Sequence, residues 1–478
     1  MSEIKNQGAL GNYIDRKFRI TERGSDIRRE IGGGLTTFFA MVYILMVNAD
    51  MLSSLGVSYG AIYVATAISA VLGTVLTGLL ANLPLAQASA MGLNAYFVFT
   101  FCGQMGFTYA NALVAVLFDG LVFFILTVTG GRRLIVNAIP ASVRSAISVG
   151  IGLFIALIGL ENAKMVVADP ATCVTLHSLN LMNNSWAEIM PIIVCVLTLL
   201  IIAVLDYRKV KGAVLLGMLG GAALYYLLGL TVSGFYTGAE PVVSVSFENP
   251  LNSFKQFGQE SFGAVFRSGF DFSAYIETHG AGNFVLTLVT SVLAMCMLDM
   301  FDTLGTMYAT CDRGGLLKEK GIEKSMDRGM IADALATMGG SVCGTSTVST
   351  FVESASGIAA GARTGFASVV TGLLFLAAMF FSPLARLIPG CATSAVLVYV
   401  GVLMMQGVKG IDWKDISCSV PAFLTVALIP FTYNVSFGIA FGLISHVVIL
   451  LFTGRAKEIK VSSVIISVLF LLTLFFTH

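Results

Sequence analysis

Charge is scarce in this 478-residue chain. Asp, Glu, Lys and Arg together make up 12% of it, about half the share of a typical soluble domain. An ordinary water-facing surface is excluded. The net charge of +1 offers no excess of either sign, so nucleic acid is not an expected partner. The eight cysteines include no C-x-x-C pair, which argues against a disulfide framework or a zinc site and for small core residues. No metal and no cofactor are expected. A G-x-x-x-x-G-K-[ST] loop is missing, so ATP does not drive this protein through its own chain. Residues 1–30 are polar and charged, without the short apolar core and cleavage site of a signal peptide, and the first span is expected to direct insertion. Tryptophan is nearly absent. Trp186 and Trp413 both fall at expected membrane interfaces.

What is abundant is apolar. Hydrophobic residues make up 56% of the chain and the mean hydropathy is +0.87, which predicts a polytopic, all-α membrane protein. A span needs about 20 apolar residues. Candidates run at 31–53, 59–81, 84–103, 109–129, 143–162, 187–206 and 211–230. After a polar stretch they resume at 283–310, 327–343, 345–361, 364–382, 390–408, 418–432 and 435–453. The tail 461–477 is expected either to span or to lie at the interface. Arg16, Lys17, Arg19, Arg28 and Arg29 place the N-terminus in the cytoplasm. With fourteen spans, Arg132/Arg133, Arg208/Lys209/Lys211, Lys318/Lys320/Lys324 and Arg455/Lys457/Lys460 all reach that same side. The acidic loop 238–282, with Glu240, Glu248, Glu260, Asp271 and Glu277, falls outside. Seven is odd, so the second set of seven runs inverted to the first. The expected division is 1–237 for the first repeat, 238–282 for the extracytoplasmic loop, 283–453 for the second repeat and 454–478 for the tail.

The third and tenth segments are interrupted. The tenth reads Gly344-Thr-Ser-Thr-Val-Ser-Thr-Phe-Val-Glu353-Ser-Ala-Ser-Gly357, polar and β-branched where a lipid-facing helix would be apolar. Non-helical backbone at membrane depth is tolerated where protein buries it or where it lines a wet cavity. Paired interruptions in two halves point to a midplane transport site. Glu353 sits where a half-helix would begin, near hydroxyls of Ser349, Thr350 and Ser354, and can accept N–H groups of a heterocycle. In the third segment Asn94 offers a donor and an acceptor, Gly92 allows close approach, and Tyr96 or Phe97 offers a stacking face. Asp299 and Asp302, at i and i+3, share one helix face in the eighth span. Two carboxylates so close in low dielectric suit one of them to take and release a proton. Asp119 and Asp333 read as structural, and His446 as an interhelical hydrogen-bonding residue.

Together the chain resembles the hypoxanthine/guanine/adenine permease branch of the xanthine–uracil permease (nucleobase–cation symporter) superfamily, over nearly its whole length. The resemblance rests on Gly34-Leu-Thr-Thr-Phe-Phe-Ala-Met-Val-Tyr-Ile44, Met91-Gly-Leu-Asn-Ala-Tyr-Phe97, Gly150-Ile-Gly-Leu-Phe-Ile-Ala-Leu-Ile-Gly159 and Phe301-Asp-Thr-Leu-Gly305. Gly344-Thr-Ser-Thr347 with Val352-Glu-Ser354, Gly361-Ala-Arg-Thr-Gly365 and Ile429-Pro-Phe-Thr-Tyr433 complete it. It implies fourteen segments in two inverted repeats of seven, with short strands in segments 3 and 10 crossing at the substrate site. A core domain (spans 1–4 and 8–11) would move against a gate domain (5–7 and 12–14). The implied activity is proton-coupled import of a purine nucleobase across a bacterial inner membrane, with a homodimer admitted as the assembly. Purine-contacting positions fall on Asn94, Asp302 and Glu353, with Gly92 and Asp299 beside them. Thr350 and Phe97 complete the expected substrate set, and Asp299, Asp302 and Glu353 the proton-coupling set. Where the family has Ala-Pro-Gly, this chain has Ala88-Ser89-Ala90; loss of the proline is expected to loosen the break. The alternatives are a same-fold anion carrier, which a basic residue at the tenth half-helix would favour, and a purine-binding protein that does not transport. An intramembrane aspartyl protease would need a Gly-x-Gly-Asp motif that is missing, so no enzyme is expected.

Overall fold

The structure, a computed structural model, describes residues 9–130, 139–182, 184–237, 249–319 and 321–476. Among these, ten helices are long and apolar enough to cross a membrane: Ile27–Ser53, Tyr59–Ala81, Tyr109–Thr129, Ala141–Asn162, Trp186–Tyr207, Ala213–Leu230, Ala281–Asp312, Gly365–Ala385, Gly390–Gly410 and Val435–Phe452. Each falls on an expected span. A further two expected spans are helical but more polar or shorter, Ile322–Cys343 and Ile416–Thr432. The remaining two, 84–103 and 345–361, are broken. Arg132 and Arg133, the adjoining residues 134–138, Lys320, Glu240 and Glu248 lie outside the described residues. The tail forms a helix, Val461–Phe476, that packs on Val435–Phe452 and Ala281–Arg313 and buries Ile466 and Phe470.

Four strands are present among the described residues: β1 (Gln87–Ser89), β2 (Val166–Asp169), β3 (Cys173–Leu176) and β4 (Val348–Thr350). The β2–β3 hairpin is a surface feature after Ala141–Asn162 and was not expected. The pairing of β1 with β4 is central. Gln87 lies opposite Thr350, Ala88 opposite Ser349 and Ser89 opposite Val348, antiparallel. The ladder continues beyond both strand ends, with Ala90 N–H donating to the Thr347 carbonyl at 2.9 Å and Phe351 N–H to that of Ala86 at 3.0 Å. Each interrupted segment thus satisfies the other's backbone where lipid offers nothing.

Local residues make the breaks. Gly344 has φ +92°, a conformation open chiefly to glycine, and ends Ile322–Cys343 with its N–H on the Gly340 carbonyl. The Ser89 hydroxyl lies 2.7 Å from that of Thr345, which accepts from the Asn48 amide at 2.9 Å. That amide also reaches Thr66 at 2.7 Å. A polar chain across the first and second spans therefore ties the strand at Ser89, the position where the family has a proline. Ala90 is buried and extended, with φ −74° and ψ 118°, which asks for no glycine.

Packing sorts the helices into two groups. Ile322–Cys343 lies against Tyr109–Thr129 and Tyr59–Leu76, and Gly365–Ala378 lies against Ile27–Met41 and Tyr59–Leu76. In the other group Ala141–Asn162 packs on Gly390–Met404 and Ile416–Thr432, and Trp186–Tyr207 packs on Ala213–Thr237. The β1–β4 crossing belongs to the first group. Backbones touch closely there: a Cβ on Gly365 would lie 2.0 Å from the Gly78 carbonyl oxygen. The Gly361–Gly365 motif is fixed by Glu30, fully buried, whose carboxylate accepts from the N–H groups of Arg363 at 2.9 Å and Thr364 at 3.2 Å. Residues 249–279 of the polar loop fold into short helices over one end of the bundle. Glu260 there accepts from the Ser58 N–H and hydroxyl at 2.7 and 2.8 Å.

Candidate functional site

Two short helices start from the strand crossing. Met91–Ala95 follows β1 and continues as a π-helical stretch, Tyr96–Gln104; Ser354–Ala359 follows β4. A cavity of about 560 Å³ lies beside the crossing, a volume suited to a small organic ligand. Its walls include Gly92, which follows β1, and Phe301 and Asp302 of Ala281–Arg313, a helix that packs on Tyr109–Thr129 and β4 of the first group; Arg144, Ser148 and Ile151 come from the second. The cavity therefore lies between the two groups.

Of the expected site residues, Gly92 and Asp302 line this cavity. Asp302 is exposed to it, and one carboxylate oxygen accepts from the Ser349 hydroxyl at 2.7 Å. β4 thus orients the acid of Ala281–Arg313. Gly92 serves a close approach: a Cβ there would lie 2.6 Å from a methyl carbon of Ile151. Glu353 is half-buried at the start of Ser354–Ala359 and is not among the lining residues. The Tyr43 hydroxyl donates to its carboxylate at 2.5 Å. Tyr43 lies at the interruption between Ile27–Met41 and Ile44–Ser53. Only its place in the Gly34–Ile44 motif hinted at a role.

The other expected residues are sealed. Asn94 is fully buried; its carbonyl oxygen accepts from the Ser346 hydroxyl, and its amide nitrogen has no partner among the described residues. Thr350 is buried and accepts from the Gln87 amide at 3.2 Å. Phe97 is fully buried with its ring edge-on to Tyr109, centroids 6.1 Å apart. It packs in the core and offers no open stacking face, whereas Phe301 reaches the cavity wall. Phe301, which lines the cavity together with Tyr308, lies in the Phe301–Gly305 motif, and nothing in the sequence pattern separates it from a core aromatic.

Asp299 shares the helix of Asp302 but lies inside the protein, fully buried, with Thr337 donating at 3.4 Å. The fold brings it near Asp119 and Asp333, which the chain places far apart. Asp119 accepts from Thr347 at 3.3 Å. Asp333 accepts from Gln87 at 2.8 Å and Thr303 at 2.9 Å. Asp119 and Asp299 each keep one buried oxygen without a hydrogen-bond partner among the described residues. Asp333 thus bonds β1 directly and Asp119 the residue before β4, while Asp299 is held by Thr337. His446 lies apart from the site, its Nδ1 2.8 Å from the Ser417 carbonyl, the interhelical bond expected of it.

The cavity presents the Asp302 carboxylate, the Arg144 guanidinium, aromatic faces and hydroxyls, which suits a flat, hydrogen-bonding organic molecule. A sequence model described as a permease family matches residues 28–441. The chain is 35% identical over 476 residues to adenine permease AdeP of Escherichia coli (strain K12), covering 99% of this chain and 98% of that protein. It is 36% identical over 451 residues to guanine/hypoxanthine permease PbuG of Bacillus subtilis (strain 168), covering 92% and 95%. Among solved structures, the transmembrane domain of a cyanobacterium bicarbonate transporter, BicA, matches with a TM-score of 0.59 over 85% of this chain and 96% of that one. At 13% identity that likeness is one of fold alone.

Proposed function

Because this chain belongs to the xanthine/uracil permease family, a family of multi-pass membrane transporters and not of enzymes, we propose that it imports purine nucleobases by proton symport with alternating access. The observation that carries the reading is the position of Asp302 on a cavity between two groups of helices, oriented from β4 by Ser349. In this reading the fourteen segments form two inverted repeats, and the group holding the β1–β4 crossing is the core that rocks against the gate. Asp302 anchors the base, Glu353 or Asp299 carries the proton, and Asn94, sealed in this structure, would offer its unpartnered amide nitrogen only in a state of the cycle that uncovers it. The N-terminus lies in the cytoplasm of a bacterial inner membrane, as the basic loops require. One charge crossing 100 mV supplies about 2.3 kcal/mol, or roughly fifty-fold accumulation at tenfold per 1.4 kcal/mol.

The same-fold anion reading is disfavoured, because the tenth half-helix opens on Glu353 instead of a basic residue, and Arg144 on the cavity wall is offset by Asp302 on the same cavity. The deciding experiment is uptake of radiolabelled adenine, guanine, hypoxanthine and xanthine into proteoliposomes, at equal pH and with the outside acidic. The expected result is purine accumulation that rises with the imposed gradient. Binding without uptake would sink transport, and uptake indifferent to the gradient would sink the symport.

Gly92 offers a finer check. It stands on the core wall against Ile151 of the gate wall, so an added methyl overpacks the contact by about 1–3 kcal/mol. Gly92→Ala is expected to slow initial uptake about tenfold, and Ile151→Ala in the same chain to restore most of it. Failure of the second change to rescue the first would show that the two walls do not bear on each other during transport.

A further inference from the structure

Arg144 stands in the first turn of Ala141–Asn162 and, among the described residues, is the one cation lining the cavity that holds Asp302. Its guanidinium carbon lies 5.6 Å from the centroid of the Phe301 ring. The Nε atom is buried and has no hydrogen-bond partner among the described residues, and Arg144 forms no ion pair among them. A buried N–H left without an acceptor costs free energy that a bound acceptor returns. The arginine is therefore a preset donor. Phe301 holds its planar fork, and the next residue along the chain, Asp302, is an acceptor on the same cavity.

The ligand that fits carries an exposed acceptor edge next to an N–H edge. Guanidinium groups have donors only and carboxylates acceptors only, so the pair fixes both edges. A 6-oxopurine meets this pattern: O6 and N7 accept from the arginine fork, and the adjoining ring N–H faces the acid. A 6-aminopurine keeps N7 as an acceptor but sets an amino donor where O6 would be, so one N–H of the same fork is left unpaired against a donor. The same pairing separates guanine from adenine in double-stranded DNA, where arginine takes O6 and N7 of guanine while adenine calls for an amide side chain. Ser145 and Ser148, which also line the cavity, can turn their hydroxyls to either edge and add no discrimination.

We propose that Arg144 is a specificity-determining residue, selecting 6-oxopurines over 6-aminopurines at the cavity shared with Asp302. The proposal rests on the purine reading above and names the class of purine within it. Relatives named for adenine and for guanine/hypoxanthine are almost equally similar to this chain, so overall identity does not decide between them.

The test is equilibrium binding of radiolabelled hypoxanthine, guanine and adenine to the purified full chain, wild type beside Arg144→Gln and Arg144→Lys. Wild type is expected to bind hypoxanthine and guanine about tenfold or more tighter than adenine. Arg144→Gln is expected to weaken the two oxopurines at least about tenfold and to leave adenine within about twofold, so adenine binding itself reports that the variant is folded. Arg144→Lys keeps the charge without the fork and falls between them. Equal weakening of all three bases, an unchanged preference in Arg144→Gln, or a wild type that prefers adenine would each overturn the proposal while the purine reading stands. A wild type that binds none of the bases would overturn both.

Discussion

Asp302→Asn is expected to lower purine uptake on the order of 10- to 100-fold, the loss that follows when one charged hydrogen bond worth about 1.5–3 kcal/mol is removed. The variant is a clean probe. The Asn carbonyl oxygen can still accept from Ser349, which holds Asp302 at 2.7 Å, so position is kept and charge is lost. The accompanying change at Glu353 separates anchoring from coupling. Glu353→Gln retains an acceptor for the Tyr43 hydroxyl but can no longer gain and lose a proton. It is expected to abolish the response of uptake to an imposed pH gradient, with binding of the base largely retained. Initial rates in proteoliposomes at two external pH values measure both. Asp302→Asn within twofold of wild type would remove that acid from the site, and Glu353→Gln with its gradient response intact would move the proton to Asp299.

The second large effect is structural. Gly365→Ala places a methyl carbon 2.0 Å from the Gly78 carbonyl oxygen, 2.7 Å from its carbonyl carbon and 2.8 Å from its Cα. All three are backbone atoms, so no rotamer change relieves the contact, and the helices Gly365–Ala378 and Tyr59–Ala81 must separate. Overpacking of this kind costs about 1–3 kcal/mol or more. The expected result is a markedly lower unfolding midpoint and poor recovery of monodisperse protein in mild detergent. Gly32→Ala is the matched control, because nothing lies within 4 Å of a Cβ there. Equal midpoints for the two variants would show that the close approach bears no load.

Several of these features were legible in the chain. Apolar length located the ten long helices to within a few residues, because lipid demands a continuous hydrogen-bonded apolar run and punishes anything else. The two breaks were legible for the same reason in reverse: Gln87–Ser89 and Val348–Thr350 stand out as polar, β-branched or glycine-flanked stretches. What the pattern could not give was which side chains meet. Tyr43 and Glu353 are separated by 310 positions, and nothing local announces their bond. Phe97 looked like a stacking platform because it follows Asn94, but helix rotation turns it into the core against Tyr109. Arg144 drew no expectation from the sequence, because only the fold shows that the helix it opens faces a cavity. The grouping of Asp119, Asp299 and Asp333 likewise belongs to tertiary structure, since the three come from different helices.

The pairing of β1 with β4 has a consequence for how the molecule comes into being. The partners in that ladder are 263 positions apart at Gln87 and Thr350, so the first strand leaves the ribosome long before its complement exists. Contacts of such sequence separation form late and slowly, and until they do a bare edge stays within the nascent protein. The pocket is accordingly among the last parts to mature. An N-terminal fragment stopping before residue 348 would be an inserted bundle with no competent centre, whatever its helices achieve.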